Sequence, residues 1–69
     1  MKYKYITTDP GILGGKPIIK GTRLSVQFIL ETIASGASIE NLLEEFPYLS
    51  KETIQEVLNF AANNQINSE

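Results

Sequence analysis

Polar residues alternate with aromatic or β-branched ones along Lys2-Tyr3-Lys4-Tyr5-Ile6-Thr7-Thr8, the period-2 pattern of a strand with one buried face. Asp9-Pro10-Gly11 follows with turn chemistry, since Pro fixes φ and Gly accepts positive φ. Gly14-Gly15 marks a second turn, and residues 17–20 read as a second short strand. Pro17 has no N–H, so this strand either starts there or lies at a sheet edge. A two-stranded hairpin alone is marginal in water. It therefore packs on helices or pairs with the same hairpin of a second copy.

The period then switches to that of helices, and a serine opens each of three. Ser25 is placed as an N-cap, with Leu24 and Ile29 at hydrophobic-staple spacing. Val26, Ile29, Leu30 and Ile33 share a face, and Gly36 supplies the stop. Ser38 caps a short second helix with Ile39, Leu42, Leu43 and Phe46 apolar, ended by Pro47. Ser50 caps the third, with Leu49 and Ile54 as a second staple pair and Ile54, Val57, Leu58, Ala61 and Ala62 as apolar positions. The polar residues 63–69 are weak helix formers and are expected to fray. The second and third helices, joined by Pro47-Tyr48-Leu49, have the lengths and spacing of a helix-turn-helix, although any small three-helix core has the same pattern.

Sixty-nine residues make one domain, here 1–69. It divides into a β-hairpin and basic turn region over 3–24, a three-helix bundle over 25–62 and a tail over 63–69. A hydrophobic content of 42% is ordinary for a globular chain. The absence of Cys and His removes a disulfide framework and the usual zinc sites, so no metal or cofactor is expected. The apolar runs are a few residues long and no secretory signal pattern opens the chain, so a cytoplasmic protein without a membrane partner is expected. The net charge of −2 hides an asymmetry. Residues 1–23 balance at +4, with five basic residues against Asp9, whereas residues 24–69 balance at −6, with Lys51 against seven glutamates. Two faces of opposite sign suggest two partners or one self-complementary contact. The plain alternative is an acidic helical layer that serves solubility.

The densest chemistry lies in Gly14-Gly15-Lys16-Pro17-Ile18-Ile19-Lys20-Gly21-Thr22-Arg23-Leu24-Ser25. Gly15-Lys16 is no phosphate loop: that motif needs Gly where Pro10 stands and Ser or Thr where Pro17 stands. Pro10, Gly11, Gly14, Gly15, Pro17 and Gly21 are instead turn residues. Lys16, Lys20 and Arg23 suit phosphate contacts, held by rigid turns, unless they pair with the acidic helices of the same chain. In the third helix Gln55, Asn59 and Asn63 share a face with adenine-reading chemistry, and Lys51 adds a cation. Lys51, Glu52, Thr53, Gln55, Glu56, Asn59 and Asn63 read as its exposed positions. Glu52 and Glu56 leave that helix acidic, so the hairpin must supply most of any attraction to DNA. Glu40, Glu44, Glu52 and Glu56 form like-charge pairs at i, i+4, either a solvated face or a surface for a basic protein. Without His or Cys, with Asp9 in a turn and little room for a pocket, neither an enzyme nor a small-molecule substrate is expected.

The run from Asp9 to Leu24 closely resembles the signature of the family called domain of unknown function 433, small prokaryotic proteins often described as VapB-type antitoxins. The likeness continues through the helix from Val26, the Gly36-Ala37-Ser38 junction and the Phe46-Pro47-Tyr48-Leu49-Ser50 turn, covering about residues 5 to 62. Gly15, Lys16, Pro17, Gly21, Thr22 and Arg23 stand at signature positions; Lys20 replaces a frequent Arg and Leu13 a common Cys. The resemblance implies a mostly α, three-helix, helix-turn-helix-like domain (homeodomain-like or winged-helix-like) with a short N-terminal β-hairpin. It also implies a homodimer and a gene beside a small PIN-like toxin. The expected function is an antitoxin-like regulator, dimeric through its hairpins and free of catalysis. It binds duplex DNA through Lys16, Lys20, Arg23, Lys51, Gln55 and Asn59, and a toxin through the glutamates. The alternatives are a toxin-binding module without a DNA role and a small structural homodimer.

Overall fold

Serine hydroxyls set where the helices begin. In the computed structural model, which describes residues 3–64, the Ser25 Oγ accepts from the Phe28 N–H at 2.9 Å and opens α1, Val26–Ala34. Ser38 opens α2, Ile39–Glu45, and Ser50 opens α3, Lys51–Asn64, where the Thr53 N–H donates to its Oγ at 3.1 Å. At α2 the cap is reciprocal: Asn41 N–H donates to Ser38 Oγ at 3.0 Å, and Ser38 N–H donates to Asn41 Oδ1 at 3.1 Å. Two orphan donors are thereby satisfied in a helix of only 7 residues, too short to hold itself in isolation. Ser38→Ala is expected to cost about 1 kcal/mol and to lower Tm by about 4–8 °C in a domain of this size. A thermal melt by circular dichroism checks it, and an unchanged midpoint would mean that tertiary packing alone holds α2.

Ahead of the helices lie β1, Ile6–Thr7, and β2, Ile18–Ile19, antiparallel with Ile6 opposite Ile19 and Thr7 opposite Ile18. The connection is long and contains a 3₁₀ turn at Leu13–Gly15. Both placements open to the proline-led strand hold: β2 starts directly after Pro17 and is an outer strand of a two-stranded sheet. Its far side is occupied by an Ile18–Ser25 bridge, by the Ile19 N–H on the Leu24 carbonyl at 2.9 Å, and by the Val26 N–H on the Pro17 carbonyl at 3.0 Å.

The hairpin packs on the helices of its own chain. Ile6 and Ile19 join Val26, Ile29, Leu42, Leu49, Ile54 and Val57 in one buried cluster, with Leu24, Leu30, Ile33 and Phe60 against it. The long α3 lies on both α1 and α2. Ala62, expected on its apolar face, is exposed. Of the tail expected to fray, residues 65–69 lie outside the described residues, while the helix continues through Asn64. Among the described residues no helix is long and apolar enough to cross a membrane.

Candidate nucleic-acid interface

The β2-to-α1 connection turns sharply. The Thr22 N–H donates to the Ile19 carbonyl at 3.0 Å, closing a four-residue turn whose third position is Gly21 at φ 78°. That is the geometry type II turns demand of their third residue, and it favours Gly. The Thr22 side chain locks the exit, donating to the Ile19 carbonyl at 2.9 Å and accepting from the Leu24 N–H at 3.0 Å. The Lys20 N–H is tied to the Tyr5 carbonyl at 2.9 Å. Both Lys20 and Arg23 side chains are exposed on this fixed tip.

Beside them stands Tyr48, from the turn between α2 and α3. Lys20, Gly21, Thr22, Arg23 and Tyr48 line one open cleft. Tyr48 is 64% exposed, and its ring lies 6.1 Å edge-on from Phe46, which in turn meets Phe28 at 5.9 Å. Tyr48 precedes the first residue of α3 by three positions, in the turn that joins α2 to α3. On α3 itself Lys51, Gln55, Asn59 and Asn63 form an exposed row at i, i+4, i+8, i+12. The cleft thus collects a planar guanidinium, an ammonium and a phenol, and the exposed row of α3 carries amide side chains. Such groups contact phosphates and base edges respectively.

Lys16 is not part of this collection. It lines two other clefts, both shared with Ser25, Gln27 and Glu31 of the α1 region. Among the described residues no hydrogen bond or ion pair ties the Lys16, Lys20 or Arg23 side chain to a carboxylate. Pairing with the acidic helices therefore does not account for the cations.

The preceding loop is rigid in its own way. Asp9 caps it, its carboxylate accepting from the Gly11 N–H at 2.9 Å and its carbonyl from the Ile12 N–H at 2.9 Å, with Pro10 between. Leu13, Gly14 and Gly15 then take φ values of 51°, 66° and 87°, a left-handed turn. Two of its three residues are glycines, which adopt that region freely; Leu13 pays about 1–2 kcal/mol for it and leaves its side chain 51% exposed.

The acidic positions do not behave alike. Glu40, Glu44 and Glu52 are exposed. Glu56 is half-buried: its Oε2 accepts from the Tyr5 N–H at 2.6 Å, across 51 residues of chain. One turn further on, Phe60 meets the Tyr3 ring edge-on at 5.2 Å. The row containing Glu56 and Phe60 thus faces the N-terminal segment and is partly covered by it. Thr53, expected to be exposed, is 5% exposed, its hydroxyl 2.9 Å from that of Ser50. A Ser-x-x-Thr spacing at a helix start is the signal that points to that pairing. The Glu56–Tyr5 bond has no local signal at all.

A three-helix domain with a basic hairpin tip set against its inter-helix turn is the class that fold and cleft define. The chain belongs to the family described as Protein of unknown function (DUF433), whose pattern matches residues 6–61. The uncharacterized protein y4eO of Sinorhizobium fredii (strain NBRC 101917 / NGR234) is 42% identical over 50 residues, which are 72% of this chain and 23% of that protein. The chain thus spans about a quarter of the length of this curated relative. The crystal structure of a DUF433 member protein from Anabaena variabilis ATCC 29413 superposes with a TM-score of 0.83 at 28% identity, over 87% of this chain and 59% of that one.

Proposed function

We propose that this protein is a duplex-DNA-binding regulator of the antitoxin type, acting as a homodimer without catalysis. The observation that carries the reading is the cleft shared by Lys20, Arg23 and Tyr48, between the hairpin tip and the α2–α3 turn. Lys20, Arg23 and Lys51 neutralise phosphates, the tip fixes the register, and Gln55 and Asn59 meet base edges. Glu52 lies beside this row, so the attraction comes chiefly from the tip. The exposed Glu40, Glu44 and Glu52 supply the surface for a basic protein such as a PIN-like toxin, and Glu56 is withdrawn from it by its bond to Tyr5.

Fluorescence anisotropy on duplex DNA from upstream of the gene, titrated with salt against a scrambled duplex, tests the reading. Three phosphate contacts per protomer give a slope of log K against log salt of about −2.7, or about −5 for a dimer. Lys20→Ala with Arg23→Ala is expected to reduce the magnitude of that slope by about 1.8 per protomer. Lys16→Ala, away from the cleft, is expected to leave it unchanged. No binding at low salt removes the DNA role and leaves a protein-binding module; loss of slope through Lys16 alone removes the cleft.

A further inference from the structure

One wall of the Lys20–Arg23 cleft is a phenol ring that phosphate contacts do not use. Among the described residues Tyr48 is the most exposed large hydrophobic, at 64%. Its turn, Phe46-Pro47-Tyr48-Leu49, is closed by the Leu49 N–H on the Phe46 carbonyl at 2.9 Å. Pro47 fixes one φ of that turn, and Leu49 is anchored in the core. The ring rests edge-on against Phe46, which is braced in turn by Phe28. An aromatic ring is thus held outward on a rigid mount, in an open cleft of about 470 Å³ shared with two cations. We propose that this cleft takes an unpaired nucleotide of a DNA strand, its base stacked on Tyr48 and the flanking phosphates on Lys20 and Arg23.

The lining selects this occupant. No carboxylate lines the cleft; its side chains are those of Lys20, Thr22, Arg23 and Tyr48, around the bare backbone of Gly21. Nothing lies within 4 Å of where a Cβ on Gly21 would stand, so a sugar or phosphate can approach the turn closely. An exposed aromatic ring beside a cationic groove is the combination that holds single strands, because every base has a face to stack. In a closed duplex those faces are covered by neighbouring bases, so paired DNA meets the cations and leaves the ring unused.

Other occupants fit less of the cleft. A phosphorylated peptide uses the cations and leaves the ring idle. A second copy on a twofold axis through the cleft sets Lys20 and Arg23 against the same two cations. The inference rests on the reading of this cleft as a DNA site and names the nucleotide that enters it, one outside a base pair, as at a melted or overhanging segment.

The test is fluorescence anisotropy of the full chain on three labelled DNAs at one salt concentration: a thymidine strand, the same strand with abasic sugars, and a blunt duplex. The abasic strand keeps every phosphate and removes the base faces, so it separates stacking from charge. The thymidine strand is expected to bind about tenfold tighter than the abasic one. Tyr48→Ala is expected to remove that tenfold and to leave the abasic and duplex affinities unchanged, whereas Tyr48→Phe keeps it. Equal binding of thymidine and abasic strands by the parent, or the same loss in Tyr48→Phe as in Tyr48→Ala, would overturn the proposal. Duplex binding with its salt slope intact would then leave the DNA reading standing. A phosphoserine peptide that displaces the thymidine strand as well as unlabelled strand does would also overturn it, and would assign the cleft to a protein. No binding to any of the three DNAs removes both readings.

Discussion

Ile6→Ala is expected to destabilise the protein by about 2–5 kcal/mol, the range for emptying a fully buried aliphatic site. Ile6 is 0% exposed and belongs to the same cluster as Ile29, Ile54 and Val57, although its strand is only two residues long. A 69-residue chain has a total stability of about 3–10 kcal/mol. The variant therefore loses a large share of its stability. Urea unfolding followed by circular dichroism at two widely separated protein concentrations checks it. The loss should be the same at both, because the partners of Ile6 are supplied by its own chain. A loss that vanishes at high concentration would mean that a second copy completes the burial.

Glu56→Ala is expected to cost about 1.5–3 kcal/mol, the range for a hydrogen bond to a charged group. The Tyr5 N–H loses its acceptor when the carboxylate is removed. Glu56→Gln keeps an acceptor oxygen and should cost about half as much. Glu44→Ala, at an exposed position of α2, should stay within about 0.5 kcal/mol of the parent. Thermal melts of the three variants, with hydrogen exchange at the Tyr5 amide, separate the cases. Equal midpoints for Glu44→Ala and Glu56→Ala, with Tyr5 protection unchanged, would show that the bond contributes nothing.

The contrast between those two glutamates marks what the chain discloses on reading. Ser25, Ser38 and Ser50 were legible as caps because a cap acts on an amide two or three residues away, so its signal is local. The staple residues, the turn glycines and the apolar faces of α1 and α2 were legible for the same reason. Glu56 shares its i, i+4 spacing with Glu52, and nothing near it in the chain distinguishes an exposed carboxylate from one aimed at Tyr5. The division of the basic cluster was likewise hidden. Lys16, Lys20 and Arg23 are close in sequence, yet the sharp turn after β2 carries two of them to Tyr48 and leaves the third by α1. Tyr48 itself reads as a link between helices, and its place beside Arg23 depends on how α2 and α3 pack.

The bond between Tyr5 and Glu56 also sets an order of events at birth. Tyr5 leaves the ribosome 51 residues ahead of its acceptor, an interval of about 3–10 s at ordinary rates of translation. Tyr3 waits still longer for Phe60. β1 finds its strand partner as soon as residues 18–19 are made, whereas Tyr5 and Tyr3 lack theirs until nearly the whole helical half has been made. A chain stopped before α3 leaves Ile6 without Ile54 and Val57, an apolar side chain exposed on a short hairpin beside other nascent copies.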